Sequence, residues 1–300
     1  MDSRFLDTLV AVVECGSIAE AARRLNLTAA GVAQRVRVLE ADIGVPLVIR
    51  IGRAVRPTAA AVAILDRAKN IQRDIRDLKS VAGGGILSGE LRLGVMPTML
   101  TGFLPGALRV FGKAHPDIDI RVLRAPSADV YRKLADGQID AAITSEPPFA
   151  IPKTLAWSLM CEEPFVVLAP PGMKLRHPHV MLSSEPFIRL DRSVYAGQLI
   201  DRYLRAQRIQ PQERLELDGL DAIAIMVDRG IGVSLLPDWP PPWPAGLKLQ
   251  KVPLPGRGLT RRIGLCWDRS SLRLGLIEAF RRHADAELQP AKRERVSKAR

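Results

Sequence analysis

Residues 16–40 read GSIAEAARRLNLTAAGVAQRVRVLE, two short amphipathic helices separated by a tight turn. Ser17 stands at an N-cap position and Glu20 follows three residues later, a capping box that fixes where the first helix starts. Ile18, Ala21, Ala22 and Leu25 recur at helical spacing as one stripe. Asn26-Leu27-Thr28 supplies the turn, and Thr28 is placed to cap the second helix. In that helix Val32, Val36, Leu39 and Ile43 share one face, while Ala30, Gln34, Arg37 and Ala41 point away from it. A helix packed by one side, with small and hydrogen-bonding residues on the other, fits a DNA major groove. The same pattern suits a plain αα-hairpin in a helical core, and the segment alone leaves the two readings level.

Its flanks favour DNA. Phe5, Leu6, Leu9, Val12 and Val13 form the apolar face of a leading helix. Residues 47–57, LVIRIGRAVRP, read as a β-hairpin with Arg50, Arg53 and Arg56 clustered near a turn at Gly52, a wing that lays cations on phosphates. From Arg23 to Arg56 there are seven arginines against two acids, Glu40 and Asp42, so positive charge concentrates where a DNA face belongs.

This order of motifs resembles the LysR-type transcriptional regulators over nearly the whole chain. The matching segments are F-L-x-x-L at Phe5–Leu9, S-I-A-E-A-A-R-R-L at Ser17–Leu25, R-V-R-x-L-E at Arg35–Glu40, G-V-P-L-V-I-R at Gly44–Arg50 and R-P-T at Arg56–Thr58. The second helix departs from the family pattern: Ala29 and Ala33 stand where the family commonly has a polar residue, often Gln, and a Ser. Base and backbone contacts are therefore expected from Thr28, Ala30, Gln34, Arg35 and Arg37, with Arg50, Arg53 and Arg56 on the wing. Ala30 would meet a thymine methyl.

With 300 residues and 47% hydrophobic content, the chain can build two or three cored domains. The net charge of +12 suits a polyanionic partner. Part of it lies in 291–300, AKRERVSKAR, read as a disordered, solvated tail. Cys15, Cys161 and Cys266 are too few and too far apart for a disulfide framework or a metal knuckle, and read as small buried hydrophobes. Asp2, Arg4 and Asp7 rule out a signal peptide in the first helix, and no apolar run reaches the roughly 20 residues of a membrane span. A cytoplasmic location without membrane partners is expected.

Between Thr58 and Leu78 the residues Ala61, Ile64, Ala68, Ile71, Ile75 and Leu78 alternate spacings of three and four, a coiled-coil seam. A helix packed on its own domain would also show this. Dimerisation through Ile64, Ala68, Ile71, Ile75 and Leu78 is favoured, because reading a palindrome needs two copies at fixed separation. Gly83–Gly85 and Ser88-Gly89 then form a flexible joint.

Beyond Gly89, strand-like runs (Leu91–Val95, Ile118–Leu123, Ala141–Thr144, Phe165–Ala169, Ile231–Leu236) alternate with helical ones (Leu104–Ala114, Ala128–Ala135, Gln198–Gln207, Leu220–Asp228). This predicts an α/β region with mostly parallel sheets in two lobes, crossed near Cys161–Pro164 and Arg261–Cys266 and closed by a helix over Leu272–Leu288. It resembles the family's effector domain, itself similar to periplasmic solute-binding proteins, at L-R-L-G-V (Leu91–Val95), L-P (Leu104-Pro105), H-P-D-I (His115–Ile118), L-A-D-G-Q-I-D (Leu134–Asp140) and V-D-R-G-I-G-V-S-L-L-P (Val227–Pro237). The expected division is therefore a winged helix-turn-helix over 1–58, a linker helix and hinge over 59–89, one lobe from 90–163 with 264–290, and a second over 164–263.

Open α/β lobes bind ligands at the carboxyl ends of their strands. The candidates are Pro97, Thr98 and Met99, then Ser127, then Thr144 and Ser145; from the second lobe, Arg192, Ser193, Ile231 and Gly232. The resemblance places Thr98 and Ser127 where a hydroxyl meets the effector, although either alone is more often a helix cap. Arg192 could pair an effector carboxylate, unless Asp191 neutralises it. His177-Pro178-His179 lacks a third metal ligand and reads as a surface loop, and Trp239–Pro244 as a stiff polyproline-like loop. No HExxH, GxSxG, P-loop or dinucleotide fingerprint occurs. The expected protein is thus not an enzyme and needs no cofactor or metal. It is a DNA-binding regulator switched by a small anionic metabolite, working as a homodimer or homotetramer, with RNA polymerase as a further candidate partner. The rival is a cytoplasmic solute-binding or enzymatic α/β protein whose helical N-terminus only dimerises.

Overall fold

The computed structural model describes residues 2–52, 54–82, 89–256 and 258–298, with backbone alone at 76, 77, 79–82 and 289–298. It forms two compact units, Met1–Gly89 and Glu90–Arg300. The expected glycine joint at 83–88 lies outside the described residues.

The first unit runs α1 (Ser3–Cys15), α2 (Ile18–Leu25), α3 (Ala29–Ile43), β1 (Val48–Ile51), β2 (Ala54–Pro57) and α4 (Ala59–Ala82). Ser17 caps α2 by accepting from the Glu20 amide, and Asn26 closes it in the left-handed conformation. The Glu20 carboxylate pairs with Arg23 at 2.5 Å. Thr28 caps α3 through the Gly31 amide at 3.0 Å. Ala21, Ala22, Val32 and Val36 form one small core between α2 and α3. Leu6, Leu9, Leu39 and Leu47 form another, which α4 covers with Ala61 and Ala68. The expected seam is therefore divided. Ala68 is buried against the chain's own core, because α4 packs on α1, and so offers little to a partner helix, while Ile64 is half-buried there. Ile71, Ile75 and Leu78 stay exposed.

The second unit continues with β3 (Gly89–Val95), α5 (Pro97–Gly102), α6 (Leu104–Ala114), β4 (Ile118–Arg124), α7 (Ser127–Ala135), β5 (Ala141–Ser145), β6 (Leu155–Ala169), α8 (Pro178–Ser184), β7 (Pro186–Leu190), α9 (Tyr195–Ala206), β8 (Gln212–Leu217), α10 (Leu220–Asp228), β9 (Ser234–Pro237), β10 (Gln250–Pro253), β11 (Thr260–Asp268) and α11 (Leu274–Lys298). One sheet has the order β10-β6-β11-β5-β3-β4, with β9 also paired to β6. The long β6 serves both lobes: Leu155–Pro164 pairs with β11, and from Phe165 onward it pairs with β9 and β10. β7 and β8 pair in parallel beside it, and Phe187 bridges to Val233.

Three expectations change here. The sheet is mixed rather than mostly parallel, because the chain crosses between lobes on single strands that return antiparallel: β11 runs antiparallel to both β5 and β6. His177 and His179 sit at the start of α8, where Pro178 suits a first helical turn; the segment is not a loop. α11 continues to Lys298 through most of the basic tail expected to be disordered, whose Ala, Lys, Arg and Glu residues favour helix.

Close backbone approaches fix where the helices start. A Cβ on Gly197, in the first turn of α9, would lie 1.9 Å from the Asp191 carbonyl oxygen. Backbone cannot yield cheaply, so Gly197→Ala should lower the thermal stability of this unit by about 1–3 kcal/mol despite alanine's better helix propensity. A melting temperature at or above that of the parent would show that α9 is not held this tightly.

Candidate functional site

In the first unit, α3 presents Ala30, Gln34, Arg37 and Ala41 to solvent, as its sequence periodicity predicts. Thr28 is exposed, but its hydroxyl oxygen already accepts the Gly31 amide, which leaves its proton for an outside acceptor. Arg35 is half-buried. The wing is a two-residue hairpin that turns at Gly52, with φ of 63°. Arg50 stands opposite Val55, and Arg56 opposite Ile49. Cross-strand partners share a face, so the two exposed arginines lie on opposite faces of the hairpin and do not cluster as expected. Arg53 lies outside the described residues.

The residue that sequence reasoning misses here is Glu40. In the sequence it counts only as a negative charge, yet its Oε1 accepts the Leu47 amide at 2.7 Å and the Val48 amide at 3.1 Å. The carboxylate at the end of the exposed helix thereby fixes the first strand of the wing. Thr58 completes the attachment: its amide donates to the Leu47 carbonyl, its hydroxyl donates to the Pro46 carbonyl, and its oxygen caps α4.

In the second unit a cavity of about 420 Å³ opens between the two lobes. Its first-lobe wall includes Pro97, Thr98, Ser127 and Ser145, all expected there, together with Arg124 and Arg261. Its second-lobe wall includes Leu190, Val194, Tyr195, Asp218, Leu220 and Asp221. α7, α9 and α10 all begin at this cavity, and none has a side-chain cap. Their first-turn amides therefore have no side-chain acceptor of their own.

The hydroxyls are held by a defined network. Ser127 Oγ accepts the Ser145 amide at 3.2 Å and lies 3.4 Å from Ser145 Oγ. Thr98 Oγ1 accepts from Arg261 Nη2 at 3.2 Å. Arg261 Nε donates to Glu163 Oε2 at 2.8 Å, and Nη2 reaches the same oxygen. Glu163 is fully buried and its Oε1 has no hydrogen-bond partner among the described residues. Neither Arg261 nor Glu163 is expected from the sequence. They belong to the doublets Arg261-Arg262 and Glu162-Glu163, which pair across the β11–β6 register. In each doublet one residue turns inward and the next outward. Nothing in the sequence reports that register.

The other candidates lie elsewhere. Thr144 is buried behind the wall and donates to the Ser127 carbonyl, and Met99 is buried in α5. Both are supports, set back from the cavity. Arg192 is engaged on the outside of the lobe. Its Nη1 meets Glu216 at 2.5 Å and its Nη2 meets both oxygens of Glu213 at 2.8 Å, hydrogen bonds that raise its pKa further. Burial pushes Glu213 up, but hydrogen bonds from Arg189 and Arg192 bring it net below its ordinary value. The Ser193 amide donates to Asp191, closing a turn. Ile231 is exposed away from the cavity, and Gly232 serves packing: a Cβ there would lie 2.2 Å from the Pro186 carbonyl oxygen. Desolvation raises the pKa of Tyr195 at the cavity wall. Burial pushes the Cys266 thiol up to about 12, which leaves it unreactive. Trp239 and Trp243 stack at 3.8 Å, with Lys251 over the outer ring, so the proline-rich segment is a packed clasp. Among the described residues there is no group of three potential metal ligands and no helix long and apolar enough to cross a membrane.

Residues 3–62 match the bacterial regulatory helix-turn-helix protein family of lysR type, and residues 84–289 match the LysR substrate binding domain. The chain belongs to the LysR family. It is 28% identical to the HTH-type transcriptional activator IlvY of Salmonella typhimurium, over 93% of this chain and 98% of the relative. It is 29% identical to the transcriptional activator CmpR of Synechocystis, over 77% of each chain. Its fold is similar to full-length CbnR complexed with its target DNA (TM-score 0.66, 21% identity, 96% and 100% coverage). It is also similar to an H2O2-bound cysteine-to-serine mutant of OxyR from Corynebacterium glutamicum (TM-score 0.62, 24% identity, 99% and 96% coverage). As a LysR-family chain it is a DNA-binding transcriptional regulator with an effector-binding domain.

For this LysR-family wing, Glu40→Ala leaves two partly buried amides unpaired, a cost of about 1–3 kcal/mol. Amide exchange at Leu47 and Val48 should accelerate, and duplex affinity should fall alike for all sequences. Unchanged exchange at those two amides would show that the wing is held by other contacts.

Proposed function

We propose that this regulator reads an operator through the exposed face of α3 and is switched by a small metabolite held in the interlobe cavity. Base contacts fall to Ala30, Gln34 and Arg37, with Thr28 and Arg35 at the margin and Arg50, Arg53 and Arg56 meeting phosphates. The observation that carries the switching half is the arrangement at the cavity. Thr98 and Ser127 stand at the ends of adjacent segments; the Thr98 oxygen already accepts from Arg261, so its proton remains available to a ligand, while the Ser127 hydroxyl donates within the wall to Ser145 Oγ at 3.4 Å. An oxygen-rich anionic group fits these donors, with Arg261 in the role first expected of Arg192.

Dimerisation is supported by the exposed Ile71, Ile75 and Leu78 on α4, whose spacing continues the seam beyond the part spent on the chain's own core. A dimer of dimers would give the homotetramer expected of two-site operator binding, and contact with RNA polymerase would transmit the output. The protein works in the cytoplasm and catalyses no reaction, a reading supported by curated relatives that are regulators.

Arg37→Ala should weaken operator binding by about 1–3 kcal/mol and relax sequence preference. Arg56→Ala should weaken every duplex alike and reduce the salt slope by about 0.9. Competition binding on operator and random DNA separates them, and equal losses on both duplexes for Arg37→Ala would remove it from the base-reading set.

Thr98→Val keeps the shape of the wall but removes a donor, so effector affinity should fall by about 1–3 kcal/mol. Calorimetric titration with the effector checks this. Unaltered affinity would place the ligand elsewhere.

A further inference from the structure

The interlobe cavity is electrically polarised. Its first-lobe wall carries Arg124 and Arg261, and its second-lobe wall carries Asp218 and Asp221. No side-chain hydrogen bond or ion pair forms at Arg124, Asp218 or Asp221 among the described residues, and all three are exposed at the rim. Arg261 is different. It is 2% exposed, its Nε and Nη2 are spent on Glu163 and Thr98, and its Nη1 has no partner among the described residues. Thr98 accepts from Nη2 of this guanidinium, so its hydroxyl proton is free beside the same group. Between the charged groups the second-lobe wall is apolar, with Leu190, Val194 and Leu220.

We propose that the effector is an aliphatic 2-amino acid, with its carboxylate on Arg261 Nη1 and the Thr98 hydroxyl, its ammonium on Asp218 and Asp221, and its side chain against Leu190, Val194 and Leu220. This rests on the reading of the cavity as the effector site. Glu163 offsets the charge of Arg261, and what favours a carboxylate at this wall is the left-over Nη1 donor and the Thr98 hydroxyl together with the charge of Arg124. A dicarboxylate would bring its second negative charge to Asp218 and Asp221, and like charges brought together exclude the wrong partner. A simple amine would face Arg261 and Arg124. Only a ligand carrying both signs meets each wall with its complement. The cavity is at the small end of ligand sites and suits a molecule of this size.

The test is calorimetric titration of the full chain with L-leucine, L-valine and L-methionine, and with two fragments, 4-methylpentanoate and 3-methylbutylamine. At least one amino acid should bind ten-fold or more tightly than either fragment. The exposed pair D218N/D221N should lose ten-fold or more for that amino acid while keeping the parent's affinity for 4-methylpentanoate. The amino-acid class is overturned if 4-methylpentanoate binds as tightly as the amino acids, or if D218N/D221N binds them normally. If Thr98→Val still weakens binding in those cases, the cavity stands as the effector site and only the ligand class falls. If an amino acid binds and neither Thr98→Val nor D218N/D221N alters it, the cavity reading falls as well. If no amino acid binds the parent, the class is wrong.

Discussion

The pairing of β6 with β11 is the constraint on which the effector unit depends. Both strands run through the centre of the sheet, and Arg261 and Glu163 face each other across them with almost no exposure. Burying two charges is expensive unless they are paired and hydrogen-bonded, and removing one partner strands the other. The pair therefore specifies this register more than it stabilises the fold. A slip of one residue would turn Arg262 and Glu162 inward and bring Arg261 out of the cavity wall. The position of Arg261 in turn orients Thr98, at the start of α5 beyond the end of β3, two strands away in the sheet. A buried contact between two strands thus sets the donor geometry of the cavity floor.

The first unit depends on a comparable device of smaller scale. α3 is capped and packed by apolar residues that the sequence displays openly, but its exposed face needs a fixed relation to the hairpin beside it. Glu40 provides that relation by holding two amides of the following segment from the last turn of the helix. Glu14 acts similarly between helices. Hydrogen bonds from Lys69 on α4 and then Arg24 on α2 hold its carboxyl below the usual range. These pairs are about one-third to one-half exposed, so each contributes little energy and mainly restricts angles.

Local pattern makes much of this legible. The caps at Ser17 and Thr28, the stripe Val32-Val36-Leu39, the hairpin at Gly52 and the helix Leu220–Asp228 follow from short-range spacing, and the structure places them as expected. Pro97, Thr98, Ser127 and Ser145 can be found because strand ends are predictable from strand positions. The errors share one cause, which is that burial and partnership depend on contacts distant in sequence. In the sequence Arg192 looks available beside a single acid, but β8 brings Glu213 and Glu216 against it. Gly232 looks like a ligand turn, but it is where the backbone leading into β9 crosses the Pro186 carbonyl. Arg50 and Arg56 look like a cluster until register places them on opposite faces. Arg261 is easily passed over because a basic residue in a strand ordinarily reads as solvent-facing.

Polarisation across the cavity bears on how the unit could switch. A ligand shifts an equilibrium between two lobe arrangements only by its difference in affinity for them. A molecule held wholly by Thr98, Ser127 and Arg261 would contact one wall, bind open and closed arrangements alike, and change nothing. A molecule whose ends need opposite walls gains its second set of contacts only when the lobes approach. Its differential affinity is then the value of all its second-lobe contacts, those to Asp218 and Asp221 and the apolar ones to Leu190, Val194 and Leu220. Effector recognition and the sensitivity of the switch would reside on different sides of the cleft: the buried, pre-organised Arg261–Thr98 side sets which anionic group is accepted, and the exposed acidic side sets how far binding displaces the equilibrium.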